Sequence, residues 1–458
     1  MKKILSIISI VMLFFTSYGA STNLNTTETD YDLVIIAPEK FIPSLQPLAE
    51  HKDSHGIKTL IKNVDEIYSQ FNGRDKAEKV KYYIKYVYEE LNAQYILLVG
   101  GRKSQSAIED WWIPVRYVHN EFVPPDGRRE FRYITDLYYA DIYNSSGNFS
   151  NWDTDNDGIY GEWLYLKAAE DIMDLAPDVA LGRLPCRTVY EVKTIVKKII
   201  RYEDEGCDES WFNNIVGISC TSDKFMPGWD GESVIREGLT YMENFTHTTL
   251  FGSDGTLKSS RDVIKAINKG CGFLWFFGGG SPRRWGVFLP NRLTWTPVLS
   301  NYQIFFLRNH EKLPILIDGS GCHNCQFNVS IGNTLFNSGE TKNWAYGAAA
   351  RCQCERFLMA PNGGCIEVIG STAMGHDKFG ISSHKGGCDW LDIQFFNEYN
   401  INKVTVIGDI WKNSLCYYTQ NFTIDWNDNT SWDDSIITKA AQTWSLFGDP
   451  SLKIGGYS

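Results

Sequence analysis

Past Phe15 the sequence contains no long run of apolar residues. Because a helix that crosses a membrane needs about 20 such residues in succession, the body of the chain is not expected to span a bilayer. Basic residues are in the minority, since 44 Lys and Arg stand against 55 Asp and Glu, for a net charge of −11. Nucleic-acid binding requires clustered Lys and Arg that neutralise phosphates. The composition therefore excludes that class of partner.

The N-terminal segment is the one place where apolar residues accumulate. Lys2 and Lys3 precede an apolar stretch at residues 4–15, and small and polar residues follow. This order is typical of a secretory signal peptide. We expect residues 1–20 to be removed and the protein to act outside the cytoplasm, with no membrane span after cleavage. A retained anchor is the alternative, because the residues around Ala20 form an imperfect cleavage site.

Short β-branched runs alternate with amphipathic stretches along the rest of the chain. Leu33 to Ala37, Lys58 to Val64 and Tyr95 to Val99 have the composition of strands, and apolar residues recur at helical spacing between the last two. Such alternation produces a mostly parallel sheet covered by helices. We expect an α/β fold with two adjacent doubly wound α/β/α subdomains, residues 31–205 and 206–455.

The second subdomain has strand-like runs that end in Gly or Asp-Gly. They are Phe273 to Phe277, Leu313 to Ile317 and Cys365 to Ile369. Open α/β folds put their chemistry at the carboxyl ends of the strands. Cys322 follows one of these ends, where glycines let backbone N–H groups approach a thiolate nucleophile. The alternative is that this cysteine packs as a small hydrophobe, as most do.

A set of ordered segments carries a resemblance to a known family: Ile96-Leu-Leu-Val-Gly, Pro114-Val-Arg, Thr135-Asp-Leu-Tyr-Tyr-Ala-Asp, Asp153-Thr-Asp-Asn-Asp-Gly-Ile-Tyr-Gly-Glu, Val179-Ala-Leu-Gly-Arg-Leu-Pro, Gly280-Ser-Pro, Gly321-Cys-His-Asn, Asn362-Gly-Gly, Ile369-Gly-Ser-Thr and Gly448-Asp-Pro-Ser-Leu. In order and spacing the chain resembles the gingipain-type cysteine peptidases, relatives of caspases and legumain. The resemblance implies a caspase-like fold and cleavage of proteins or peptides outside the cytoplasm.

Position by position, the resemblance implies roles for four residues. Cys322 is the nucleophile, and the amides of Gly280 and Cys322 are the oxyanion donors. Asp178 falls where the family keeps an acidic residue behind its catalytic histidine. That histidine itself is replaced, because the family's His-Gly pair reads Gly279-Gly280 here.

The glycine at position 279 bears directly on catalysis. A cysteine peptidase needs a base to hold the thiolate and an acid to protonate the leaving amine, and losing that partner costs roughly 10²–10⁴-fold in rate. Four other histidines are candidates for the missing base: His310, His323, His376 and His384.

The acidic run Asp153, Asp155, Asp157 indicates a second site. Alternating carboxylates on a loop turned by glycine surround one point with hard oxygen ligands, which suits Ca²⁺. Ile159 and Glu162 complete the predicted ligand set, and Leu164 stands where an EF-hand has its Glu. We expect a structural calcium ion here. A solvated acidic turn is the alternative.

Eleven cysteines in an exported chain raise the question of disulfides. Cys322 and Cys325 with Cys352 and Cys354 also allow a thiolate zinc cluster, although the C-x-C half has poor spacing for one. A disulfide that uses Cys325, or plain packing, fits the spacing better.

Three hypotheses follow: an active cysteine peptidase with a substitute base, a catalytically silent relative that binds proteins or peptides through the retained cleft, and a zinc-binding module.

Overall fold

The structure is a computed structural model that describes residues 30–457 except 122, 124–128, 222–229, 291–293, 337–348 and 377–385. The expected signal peptide at residues 1–20 lies outside the described residues, as does His384. Within the described ranges, none of the helices combines the length and the apolarity that a membrane crossing requires.

The first half of the chain builds a four-stranded parallel sheet in the order β2-β1-β3-β6. The strands are β1 Leu33–Ala37, β2 Thr59–Asn63, β3 Tyr95–Val99 and β6 Ala180–Leu184, and a separate hairpin pairs β4 Arg116–Val118 with β5 Tyr133–Thr135. The helices are α1 Ile42–Ser54, α2 Val64–Gln70, α3 Lys76–Leu91, α4 Leu137–Ala140 and α5 Val189–Glu205, and a 3₁₀ turn covers Glu39–Phe41.

The second half builds a six-stranded sheet in the order β15-β14-β13-β9-β7-β8, parallel except for β15. Its strands are β7 Asn214–Ser219, β8 Thr246–Phe251, β9 Phe273–Phe277, β13 Ile315–Asp318, β14 Glu367–Ser371 and β15 Trp444–Phe447. A small antiparallel sheet of β10 Gly279–Ser281, β11 Arg284–Val287 and β12 Thr296–Ser300 follows β9.

The helices of this half are α6 Glu209–Phe212, α7 Asp230–Thr240, α8 Ser260–Lys269, α9 Asn301–Ile304, α10 Ile331–Phe336, α11 Gln353–Met359, α12 Cys388–Phe396, α13 Ile407–Asn421 and α14 Trp432–Thr443, with a π-helical turn at Asn397–Ile401. The expected α/β class, with two adjacent subdomains and mostly parallel sheets, is confirmed.

Local sequence explains why these elements form where they do. The side chain of Asp75 accepts a hydrogen bond from the amide of Glu78 and so caps α3. Strands β1, β9 and β13 are buried on both faces, which accounts for their nearly continuous apolar sequences. The two sheets meet at β6 and the end of β15, where the amide of Gly448 donates to the carbonyl of Arg183 at 3.0 Å.

Candidate active site

Two turns meet at the carboxyl edge of the second sheet. Strands β9 and β13 are parallel neighbours, so the chain leaves both of them at the same edge. A Cβ atom added to Gly280 would lie 2.6 Å from the carbonyl carbon of Gly321 and 2.7 Å from the nitrogen of Cys322. The structure therefore brings Gly279, Gly280 and Cys322 together, and glycine is required at 280 by this close approach.

Side chains to which the sequence assigned no role hold the two turns together. The hydroxyl of Ser320 accepts from the amide of Gly278 at 2.9 Å, and the side-chain oxygen of Asn324 accepts from the amide of Ser281 at 3.1 Å. The amide nitrogen of Asn324 donates to Asp318 at 2.7 Å. Because these residues are buried, the bonds fix the turn of Cys322 against the turn after β9.

Asp318, at the end of the strand that precedes Cys322, also holds this arrangement in place. It ends β13, and its carboxyl also accepts from the indole of Trp285 at 2.7 Å. Burial raises the pKa of Asp318 well above its ordinary value. Its carboxyl group is thus occupied in holding Asn324 and Trp285, which is a structural role.

Cys322 is half-buried and faces a cleft. Its thiol donates to the carbonyl oxygen of Gly375 at 3.4 Å, and the residue packs beside Met374, Ile436 and Trp432. All eleven cysteines lie in the described part of the chain, and none is joined to another in a disulfide. Burial raises the pKa of Cys325 to about 12, so this neighbouring thiol behaves as a packing residue, whereas Cys322 is reachable from the cleft.

Position 279 is covered by an indole. A Cβ atom added to Gly279 would lie 2.7 Å from Nε1 of Trp295, and one added to Gly286 would lie 2.3 Å from Cε2 of the same ring. These two glycines are paired across β10 and β11. Trp295 therefore fills the space into which a side chain at 279 would project. No local motif indicates this contact, because 16 positions separate the two residues.

The other histidines differ in their relation to Cys322. His376 lines the same cleft and follows Gly375, the acceptor of the thiol. His323 is buried, with Nε2 at 3.7 Å from the carboxylate of Glu130. His310 lines a different cavity, of about 870 Å³, beside Asn362.

Glu130 is a buried carboxylate in the layer behind the cleft. It forms an ion pair with Lys439 and accepts from the amide of Met374. Although burial alone would raise it, Lys439 and His323 hold the pKa of Glu130 below its ordinary value. Glu130 thus carries a negative charge in contact with Met374 and His323, which line the cleft, a feature the sequence motifs did not indicate.

Asp178 lies at the amino end of β6. Its carboxylate accepts from the amides of Ile142 and Tyr143 at 2.6 and 2.9 Å, and burial raises its pKa. The described residues that line the cleft do not include it, so the structure does not bring Asp178 together with Gly279 and Cys322.

The cleft has a volume of about 560 Å³ and an apolar wall with a basic rim. Arg283 and Arg284 are both exposed, and the guanidinium of Arg284 lies 4.9 Å from the centre of the Trp295 ring. None of the described lining residues is acidic; they are Gly279, Gly280, Ser281, Arg283, Arg284, Phe288, Trp295, Cys322, His323, Met374 and His376.

The acidic loop brings three carboxylates together. Donor atoms of Asp153, Asp155 and Asp171 all lie within 4.8 Å of one another. No motif indicates Asp171, because it is distant from the acidic run. Asp171 is buried, and burial together with the charges of Asp153 and Asp155 raises its pKa to about 6. Arg74 forms an ion pair with Asp153 at 2.5 Å. The three oxygens fit the donor preference of a hard cation.

The remaining members of the predicted ligand set have other contacts. Asp157 accepts from the amide of Ile159 at 2.7 Å, which closes a turn within the loop. The amide of Glu162 donates to Asp171 at 2.9 Å, and burial raises the pKa of the Glu162 carboxyl. Asp157, Ile159 and Glu162 thus shape the loop around the three converging carboxylates.

Comparisons with known proteins agree with the fold. Gingipain R2 of Porphyromonas gingivalis is 20% identical over 453 residues, which are 96% of this chain and 48% of that protein. An uncharacterised protein of Archaeoglobus fulgidus is 22% identical over 367 residues, 77% of this chain and 78% of that one. The chain spans about half the length of gingipain R2 and about a third or less of the length of the gingipain R1 relatives it matches.

Solved structures show the same similarity of fold. The crystal structure of the Arg-specific cysteine proteinase gingipain R superposes with a TM-score of 0.61 at 18% identity, covering 94% of this chain and 79% of the other. A complex of the pro- and mature domains of that proteinase gives a TM-score of 0.59. The sequence model of peptidase family C25 matches residues 26–455. The chain therefore belongs to peptidase family C25.

Proposed function

We propose that this protein binds segments of polypeptide in the cleft at Cys322 without hydrolysing them, as a silent relative of the gingipain-type peptidases. Membership of a peptidase family supports a polypeptide as the ligand. The cleft retains the nucleophile position and the adjoining glycine turn, so the surface that holds a peptide backbone is present. The base required for turnover is not at position 279.

The observation that carries the proposal is the contact between Trp295 and Gly279. An indole nitrogen at 2.7 Å from the position of a Cβ atom disfavours a larger side chain at 279, because the ring would have to move to make room for it. Large aromatic surfaces are also effective binding anchors, because they bury much area at little entropic cost. The indole of Trp295 thus lies where a catalytic side chain at 279 would be, and it offers an apolar surface for binding.

The charges at the rim support an acidic ligand. Arg283 and Arg284 are exposed beside the cleft, and the described lining residues supply no carboxylate to oppose them. Guanidinium groups bind carboxylates through paired hydrogen bonds. The preferred segment therefore carries Asp or Glu on one side of an apolar residue.

A peptide array tests this preference. Wild-type protein should retain acidic peptides over basic ones, and Arg283→Gln with Arg284→Gln should weaken that binding by roughly 2- to 30-fold, the range for two exposed charge pairs. Arg308→Gln, at another exposed arginine, is the matched control. Equal retention of acidic and basic peptides by all three proteins would refute the proposed ligand class.

A second candidate function is peptide-bond hydrolysis with His376 as the substitute base. The observation that favours it is the position of His376 in the same cleft, directly after the residue whose carbonyl accepts the thiol of Cys322. It predicts cleavage that is lost both in Cys322→Ala and in His376→Gln. Binding without such cleavage supports the first proposal.

The proposal includes export and a structural calcium ion. The basic residues and apolar stretch at the N-terminus support secretion. Asp153, Asp155 and Asp171 would hold the cation, which would neutralise carboxylates that otherwise repel one another in a buried loop. Calcium has no part in thiolate chemistry here, because this loop and the cleft share no described residue.

A further inference from the structure

The ends of α1 and α5 present a second group of metal-ligating side chains, far along the chain from the acidic loop. His51 lies in the last turn of α1, and His55 follows the helix directly. A spacing of four residues puts both rings on one helical face. Asp204 lies in the last turn of α5 and faces them, with donor atoms of all three side chains within 4.8 Å of one another.

The distances suit a tetrahedral ion. Nδ1 of His51 lies 3.4 Å from Oδ1 of Asp204, and Nε2 of His55 lies 3.9 Å from the same oxygen. Zinc binds such atoms at about 2.0–2.1 Å, which separates neighbouring ligands of a tetrahedron by about 3.3 Å. The distances to Asp204 exceed this value by about 0.1 and 0.6 Å, and the two imidazole nitrogens lie within 4.8 Å of each other. Rotations of the side chains that move the donor atoms by about 1 Å would therefore enclose Zn²⁺.

Hydrogen bonds orient both imidazoles for coordination. Nε2 of His51 bonds to the carboxylate of Glu203 at 2.9 Å, and Nδ1 of His55 bonds to the backbone carbonyl of His51 at 2.9 Å. Each acceptor requires the proton on that nitrogen. The unprotonated nitrogens, Nδ1 of His51 and Nε2 of His55, are then the ones that lie near Asp204. The bond from the other ring nitrogen to a carboxylate or a backbone carbonyl is the one that metal-binding histidines make in known sites.

The surroundings favour a cation as well. Helices α1 and α5 both end at this point, and the negative ends of their dipoles attract positive charge. Lys52 is buried between Glu203 and Asp449 at 2.8 and 2.9 Å, and the ammonium of Lys453 lies 5.1 Å from the ring of Tyr457. With Asp204 there are three carboxylates for these two ammonium groups, and a bound cation offsets the excess of negative charge.

We propose that His51, His55 and Asp204 form a zinc site that ties the end of α1 to the end of α5. Water completes the fourth position, because Asp204 is half exposed. The ring of His55 is held by stacking on Tyr457, with centroids 4.0 Å apart and planes at 16°. The C-terminal residues thus belong to the same cluster. This site is independent of the cleft and of the calcium loop.

Titration of the chelator-treated protein with ZnCl₂, followed by calorimetry, tests the proposal. One equivalent should bind to the wild type, and His55→Gln and Asp204→Asn should each weaken binding at least tenfold. His247→Gln removes an exposed histidine that bonds to Met242 instead, and it should bind zinc as the wild type does.

Cobalt substitution separates this site from the alternatives. A Co²⁺ complex with nitrogen and oxygen ligands should show visible bands of a tetrahedral ion without thiolate charge-transfer bands. Charge-transfer bands would overturn the proposal in favour of the cysteines. So would unchanged zinc affinity in His55→Gln, loss of affinity in Asp171→Asn, or no binding to the wild type.

Discussion

Replacing Gly279 by histidine tests the proposal that Cys322 is silent because position 279 has no imidazole. In the wild-type background the new Cβ atom would lie 2.7 Å from Trp295, closer than real Cβ contacts come. Overpacking of this kind costs about 1–3 kcal/mol. Gly279→His alone should therefore lose about that much stability and gain little activity, because the indole occupies the space the ring needs.

Removing the indole should change both outcomes. In Gly279→His with Trp295→Ala the clash is relieved, so the two stability losses should be non-additive by about 1–3 kcal/mol in a double-mutant cycle. A general base near Cys322 contributes roughly 10²–10⁴-fold, or about 3–5 kcal/mol of barrier. The double variant should cleave fluorogenic peptides at a rate that far exceeds the wild type.

The control is a side chain of similar size without a base. Gly279→Gln with Trp295→Ala should be as stable as the histidine variant and as inactive as the wild type. Activity must also disappear when Cys322→Ala is added. If the folded histidine variant cleaves no faster than the glutamine control, the absence of an imidazole at 279 does not explain the silence of the cleft.

Three further results follow from the buried polar groups. Ca²⁺ should raise the melting temperature of the wild type above its value in chelator, and Asp171→Asn should abolish that rise. An equal rise in both proteins would refute the proposed calcium site in the acidic loop. Asn324→Ala should lower the free energy of unfolding by about 1–3 kcal/mol in urea, because it leaves the buried amide of Ser281 without an acceptor and removes one of the two donors to Asp318; a loss below 1 kcal/mol would contradict its proposed anchoring role. Burial raises the pKa of Asp392 to about 7, whereas the pKa of Asp in the unfolded chain is roughly 3.9. Between these two pH values the folded state therefore binds a proton that the unfolded state has released, and the free energy of unfolding falls as the pH rises. Asp392→Asn should therefore shrink the fall in unfolding free energy between pH 5 and pH 8 by about 3 kcal/mol, and an unchanged pH dependence would show that Asp392 does not titrate as described.

The elements that the sequence predicted well are those specified by local pattern. Leu33–Ala37, Tyr95–Val99 and Phe273–Phe277 are confirmed with the expected bounds, since buried parallel strands are continuous apolar runs between polar turns. The strand expected at Leu313 to Ile317 begins two residues later, at Ile315. Pro314 precedes it, and a proline cannot donate to a ladder.

The parts that were missed depend on contacts between distant residues. The apposition of Gly280 and Cys322 was predictable, because parallel neighbouring strands share an edge. Trp295 and Asp171 acquire their importance only through tertiary packing, and no local motif marks them. Asn324 belongs to the segment Gly321-Cys-His-Asn, but its bonds to Ser281 and Asp318 depend on the fold. Asp178 was expected beside the cleft from the order of motifs, yet β6 belongs to the other sheet.

Peptide turnover by the unmodified protein tests the central claim most directly. Wild-type protein and Cys322→Ala are incubated with a mixture of denatured proteins, and new N-termini are counted by mass spectrometry. The two proteins should give the same background, with peptide retained in the cleft of both. Cleavage by the wild type that is absent from Cys322→Ala would contradict the claim that this cleft binds without cutting.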